Sequence, residues 1–268
     1  MTDKRPMEHV AEIIVDKIKD SEDVKESADN LGKALLVTTT AIKNALLPLA
    51  ALNYGIEKAR QYFETKFSGE LSEKVKEIPP EDIVDPKPYI AAPALQGLAF
   101  THEEESLKEL FLNLIAASMD RKKSALAHPA FVEIIKQLDP LEARLLQKII
   151  SYNGLIPVVE LHYEKPDKRE RLTAYRHLLN VDYYEGGEKQ SAANVPAMVD
   201  NWVRLGLVVV DYSVSIPADS AYGWVEEREE FLSVSQQNSE GHKVVISRGV
   251  LYRTDFGENF SAAVGVTR

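Results

Sequence analysis

Ser118-Met119-Asp120-Arg121-Lys122-Lys123 is followed closely by Ala127-His128-Pro129-Ala130-Phe131 and then by Leu138-Asp139-Pro140-Leu141-Glu142-Ala143. Three helix boundaries fall in this one stretch. The basic run closes a first helix, where cations complement the negative end of the dipole. Pro129 and Pro140 each open a further helix, because a proline at the first helical position loses no hydrogen bond. Asp139-x-x-Glu142 adds a capping box, in which each side chain satisfies the other residue's backbone N–H.

The spacing on either side supports the same reading. Leu107, Leu110, Phe111, Leu114, Ile115 and Ser118 recur at three and four residues, as one apolar helical stripe does. Thr101-x-x-Glu104 reads as the capping box that starts this helix, with Glu103, Glu104 and Glu105 at its positive end. Phe131, Ile134, Ile135 and Leu138 form the face of the second helix. Three amphipathic helices joined by short turns pack naturally as a bundle.

Upstream, the prolines from Pro79 to Pro93 predict an extended strap, anchored by Ile83, Val84, Tyr89, Ile90 and Leu95. Glu70 to Glu77 predicts a short helix before it. Residues 34–56 hold one charge, Lys43, and would reach about 35 Å as one helix. Lys43, three consecutive threonines, two asparagines and Pro48 all oppose membrane insertion. The segment reads as a buried helix pair split near Pro48, preceded by a charged amphipathic helix or frayed arm over 10–33.

After Tyr152 the texture changes. Residues 155–159 and 207–214 read as strands, 167–179 and 192–205 as helices, with Gly206 just past the second helix. Residues 244–252 read as a strand pairing with 207–214, and a short helix through Phe260 ends the pattern. Helix, strand, helix, helix and a two-stranded ribbon is the order of a winged helix. Pro217–Gly241, between the ribbon strands, is long and acidic for a wing. The expected class is α+β, mostly α: a helical bundle over 1–138 containing the strap (79–93), then a winged-helix-like α/β domain over 139–268.

Composition bounds the chemistry. The chain has 268 residues, no cysteine and a net charge of −10. Lysines and arginines number 18 against 24 acidic residues up to Asp139, and 14 against 18 beyond it. Neither half carries the basic surplus that phosphate neutralisation rewards. Thiolate chemistry, disulfides and cysteine zinc sites are excluded. The N-terminal stretch lacks an apolar core of the secretory type, and a cytoplasmic protein is expected. No Walker A loop, GxGxxG or GxSxG elbow occurs, and the six histidines form no HxxxH or HExxH pair. No catalytic residue, metal site, cofactor or small-molecule substrate is therefore assigned. The residues best suited to an anion or nucleic acid are Arg121, Lys122 and Lys123 in the basic run, Asn201 and Arg204 on the expected recognition helix, and Lys243, Arg248 and Arg253 along the ribbon. Asp200 and the apolar Val195, Met198, Val199, Trp202 and Leu205 weigh that helix toward packing or protein contact.

"ELFLNLIAASMD", "HPAFVEIIKQLDPLEARLL", the proline strap and the terminal "RLGLV…YRTDFGENF" resemble the abortive infection alpha family of bacterial phage-defence proteins. The resemblance runs from about Leu36 to Phe260 and rests on apolar, proline and capping positions, so it brings no catalytic residue. It implies a protein that halts an infected cell before phage is released. Together these readings point to a non-enzymatic defence protein that binds a protein partner or its own copy. The rivals are a winged-helix DNA-binding regulator and a membrane-disrupting effector using residues 34–56.

Overall fold

The computed structural model describes residues 56–164, 171–181, 184–185, 188–189, 194–236 and 243–266. The stretch 10–33 and all but the last residue of 34–56 lie outside these residues, as do two of the six histidines, His9 and His242. By its contacts the chain divides into two compact units, one of Met1–Ser151 with Asn259–Arg268 and one of Tyr152–Glu258. The helix that begins at Pro140 thus belongs with the helices before it. The architecture is α+β and mostly α.

The first unit holds α1 (Ile56–Thr65), α2 (Phe67–Val75), α3 (Pro88–Thr101), α4 (Glu105–Met119), α5 (Pro129–Ile135) and α6 (Pro140–Ser151). No strand interrupts them, as the apolar spacing predicts. Phe63 and Phe67 are fully buried, edge to face at 5.2 Å, and each such ring stabilises by roughly 1.5–3 kcal/mol. Gly97 of α3 lets Phe111 of α4 approach until an added Cβ would lie 2.4 Å from the ring. Phe131 of α5 meets Phe260 edge to face at 5.3 Å.

The two proline starts behave as read. His128 caps α5, its Nδ1 accepting from the Ala130 N–H at 3.1 Å. Asp139 Oδ1 accepts from the Glu142 N–H at 2.8 Å, and Glu142 reaches back to the Asp139 N–H at 3.5 Å.

Three expectations are corrected. The extended strap is shorter than 79–93: a 3-10 turn at Pro80–Asp82 and an extended run precede α3, which absorbs Pro88 and Pro93. Ile90, Ala91, Ala94, Leu95 and Leu98 are buried at helical spacing, and that burial outweighs the hydrogen bond Pro93 cannot make. Thr101 starts no helix; it is the last residue of α3, donating its hydroxyl to the Gly97 carbonyl at 3.0 Å. Nor does the basic run lie in the helix. α4 stops at Met119, and the strap stops it: Val84 N–H donates to Met119 O at 2.8 Å and Arg121 N–H to Asp82 O at 2.8 Å.

The second unit is built on an antiparallel sheet of order β2-β1-β6-β5, comprising β1 (Ile156–Glu164), β2 (Arg171–Leu179), β5 (Val208–Asp211) and β6 (Lys243–Arg253). β3 (Tyr184–Glu185) and β4 (Glu188–Lys189) form a separate small hairpin. The helix expected over 167–179 is strand β2, which removes the middle helix from the winged-helix order. Its register explains the misreading. Tyr163 pairs with Leu172, Leu161 with Tyr175 and Val159 with Leu178, so two irregularities each add a residue to β2. Bulges of this kind place residues three apart on one face, which mimics a helix.

The acidic insert folds back as a 3-10 helix (Asp219–Glu227) and α8 (Glu229–Gln236). Its Tyr222, Val225 and Val234 complete a core with Val159, Leu161 and Leu178. α7 (Val195–Arg204) packs on β2 and β5. It ends in a Schellman motif: Leu207 N–H donates to Trp202 O at 3.0 Å and Gly206 N–H to Val203 O at 2.9 Å, with Gly206 at φ 74°. The last helix, α9 (Asp255–Ala263), is capped by Thr254, whose Oγ1 accepts from the Gly257 N–H at 2.8 Å.

Candidate functional site

Alternation along β1 sends Val159, Leu161 and Tyr163 toward the core and leaves Glu160 and His162 for the opposite face. His162 is buried, and hydroxyls from both neighbouring strands satisfy it. Its Nδ1 lies 3.2 Å from Thr173 Oγ1 of β2, and its Nε2 lies 3.0 Å from Ser247 Oγ of β6. Glu160 Oε2 is 3.5 Å from the same Nε2, while Glu160 Oε1 accepts from Arg176 Nε at 3.3 Å.

Beyond Arg176 the chain takes its most constrained step. His177 has φ 51°, the only non-glycine positive φ among the described residues, and is 5% exposed. A left-handed conformation in a residue with a Cβ costs roughly 1–3 kcal/mol and persists only where the surroundings fix it. Here they do. His177 Nε2 sits 3.2 Å from Asp200 Oδ1 of α7, and Nδ1 sits 3.0 Å from the Tyr212 hydroxyl. The His177 and Tyr212 rings stack at 6.0 Å and 16°. Gly249 makes room for the tyrosine, since a Cβ there would lie 2.5 Å from its ring.

These contacts settle the proton positions. A carboxylate only accepts, so His177 carries its proton on Nε2 and offers the Nδ1 lone pair to the Tyr212 O–H. Burial lowers the His177 pKa, and Asp200 opposes that only in part. Burial, and then the Glu160 charge, push the Tyr212 phenol well above its usual range. The three side chains form a fixed Asp-His-Tyr hydrogen-bonded chain that joins α7, the end of β2 and the residue after β5. Sequence reasoning missed it because a helical reading of 167–179 hid the pairing of β2 with β1, and because lone histidines carry no spacing signal.

The residues singled out from sequence lie apart from this cluster or are already engaged. Arg121, Lys122 and Lys123 occupy the turn after α4, with Lys122 Nζ 2.6 Å from Asp82, a contact that raises the lysine's pKa. Arg204 lays its guanidinium on its helix neighbour Asn201, at 3.1 and 2.6 Å from Oδ1. Arg248 is 2.8 Å from Asp219 and 5.2 Å above the Tyr222 ring. Arg253 Nη2 reaches Asn153 Oδ1 at 3.4 Å, and Lys243 is exposed at the start of β6. Arg248 and Arg253 stand five residues apart on one strand, so their side chains leave opposite faces.

Among the described residues, no cluster of three or more histidines and carboxylates could hold a metal ion. Among them, too, no helix is long and apolar enough to cross a membrane.

No curated protein and no solved structure matches this chain. A protein-family comparison does, and its span takes in both units: over residues 59–264 the chain matches the abortive infection alpha family, and it belongs to that family.

Proposed function

We propose that this chain acts in the cytoplasm as a non-enzymatic phage-defence protein that binds a protein partner, its own copy included, through the sheet unit. Family membership implies the phage-defence role. The observation that carries the binding reading is the edge of the sheet. β2 ends the four-stranded order, and Leu172 on it is 70% exposed between exposed Arg171 and Thr173. An edge strand presents backbone donors and acceptors for strand addition, and an exposed leucine beside them supplies the apolar anchor. α7 leads directly into β5, which pairs with β6, and we read this sheet unit as a docking module.

Charge weighs against the DNA-binding regulator. The unit of Tyr152–Glu258 has 11 lysines and arginines against 17 acidic residues. Arg204 and Arg248, the best-placed cations, already serve Asn201, Asp219 and Tyr222.

The test compares phage plating on bacteria with and without the chain, and with Leu172→Glu. The chain should lower plaque number, and Leu172→Glu should abolish protection while leaving the melting temperature unchanged. Full protection by Leu172→Glu, or a duplex-DNA mobility shift lost in Arg204→Glu with Arg248→Glu, would overturn the reading in favour of the regulator.

A further inference from the structure

The helical unit carries a cleft of about 400 Å³ between α1, the α1–α2 junction and the α3–α4 junction. Most of its charge is matched internally. Lys58 Nζ lies 2.8 Å from Glu103 and holds that carboxyl below its usual range. Lys108 lies 3.2 Å from Glu70 and 2.8 Å from Glu105; burial works to lower its pKa, but the two carboxylates prevail and raise it. The Tyr62 hydroxyl donates to Glu70 Oε2 at 2.8 Å, so that oxygen is engaged as well.

Two groups stand outside this matching. Lys66, at the break between α1 and α2, has no ion pair or side-chain hydrogen bond among the described residues. His102 has its Nδ1 3.1 Å from the Ala99 carbonyl. A carbonyl only accepts, so Nδ1 carries the proton, and Nε2 is left without a partner among the described residues. The ring is not free to turn away, being stacked on buried Tyr62 at 5.0 Å and 28°.

We propose that this cleft binds a small phosphorylated metabolite, its phosphate held by Lys66 and His102 and its remaining body along Gln61 and Thr65. A phosphate monoester carries close to two negative charges near neutral pH. Near its second pKa of about 6 such an ester also keeps a proton, so one anionic oxygen can engage the Lys66 ammonium while a P–OH donates to the open His102 nitrogen. An acetate anion has no proton to donate and is met by Lys66 alone. The size fits an ester rather than a bare ion, since clefts of about 300–1,000 Å³ house ligands well beyond a lone anion. Glu70, Glu103 and Glu105 each face a lysine, which blunts their repulsion. The site is independent of the sheet unit and of the partner proposed for it.

The test is a nuclear magnetic resonance titration of the full chain with AMP, inorganic phosphate and acetate as probes. AMP should shift the His102 ring signals, and should bind more tightly at about pH 6 than at about pH 8, the span over which a phosphate monoester loses the proton it donates. It should bind at least about tenfold more tightly than inorganic phosphate, because the ester body adds contacts. Acetate should leave His102 unmoved. Lys66→Gln should weaken AMP about tenfold, the value of one charged hydrogen bond, while Lys148→Gln at an exposed position of α6 should change nothing. Equal affinity for phosphate and AMP would overturn the ester and leave free phosphate as the ligand. An unresponsive His102, equal binding of acetate, or an equal loss in Lys148→Gln would overturn the site.

Discussion

Gly257 touches the main chain of Leu207: a Cβ added to it would stand 2.0 Å from the Leu207 carbonyl oxygen. Thr254 tightens the same junction, its N–H donating to Leu207 O at 3.1 Å and its hydroxyl to Gly206 O at 2.6 Å. The first turn of α9 is thereby docked on the Schellman exit of α7. The family-like text "RLGL" and "TDFG" encodes this contact rather than a reactive group.

Gly257→Ala should therefore lower stability by roughly 1–3 kcal/mol or more, since the obstruction is backbone and cannot swing aside. Gly206→Ala should cost roughly 1–2 kcal/mol through its left-handed φ. Gly223→Ala, where a Cβ meets nothing within 4 Å, should be close to neutral. Urea unfolding of the three variants checks the order, and a neutral Gly257→Ala would refute the contact.

The two capping boxes read from sequence part company in the structure, and mutation should separate them. Asp139→Ala removes an acceptor that caps α6 at 2.8 Å and should cost about 1 kcal/mol. Thr101→Ala removes a hydroxyl that only bonds back to its own helix at 3.0 Å, and should cost less than about 0.5 kcal/mol. Equal losses would mean that Thr101 caps α4 after all.

His177 gives the fold a pH dependence of fixed sign. Its folded pKa is depressed, chiefly by burial, below the unfolded value of about 6.5. The unfolded chain then binds the proton more readily. Stability from this residue is complete above that unfolded value and declines as pH falls through it toward the folded pKa. Melting curves between about pH 7.5 and pH 5 should show this loss in the wild type. His177→Asn, which tolerates the left-handed backbone, should show a flatter profile. A profile unchanged by the substitution would remove His177 as its source.

What was legible in the sequence follows from how local each signal is. Pro129 with His128, Pro140 with Asp139, and Gly206 after Arg204 act within a few residues, and each does in the structure what its chemistry dictates. Thr101 was legible as a helix boundary but not as which boundary, because burial of Leu95 and Leu98 carries α3 through to it. β2 was illegible for a definite reason. Leu172, Tyr175 and Leu178 sit three apart on one sheet face because the strand carries two extra residues, a fact set by its partner β1. The Asp200-His177-Tyr212 contacts depend on that register, so they could not be seen until β2 was a strand.

Arg248 offers the last separation, between a cation kept for phosphate and one kept for the fold. It lies 5.2 Å over Tyr222, whose hydroxyl donates to the Gly249 carbonyl at 2.9 Å, so the pair pins the acidic insert to β6. Its ion pair with Asp219 is exposed on both sides and adds little of its own. Asp219→Ala should therefore be nearly silent, while Arg248→Ala should cost about 0.5–1 kcal/mol through the lost cation–ring contact. Tyr222→Leu should cost more than either, because it also strips Gly249 of its donor. A double-mutant cycle on Arg248 and Tyr222 should return a coupling of about 0.5 kcal/mol or more. Zero coupling, with Arg248→Ala costing nothing in stability, would free this arginine for an external anion and reopen the nucleic-acid reading.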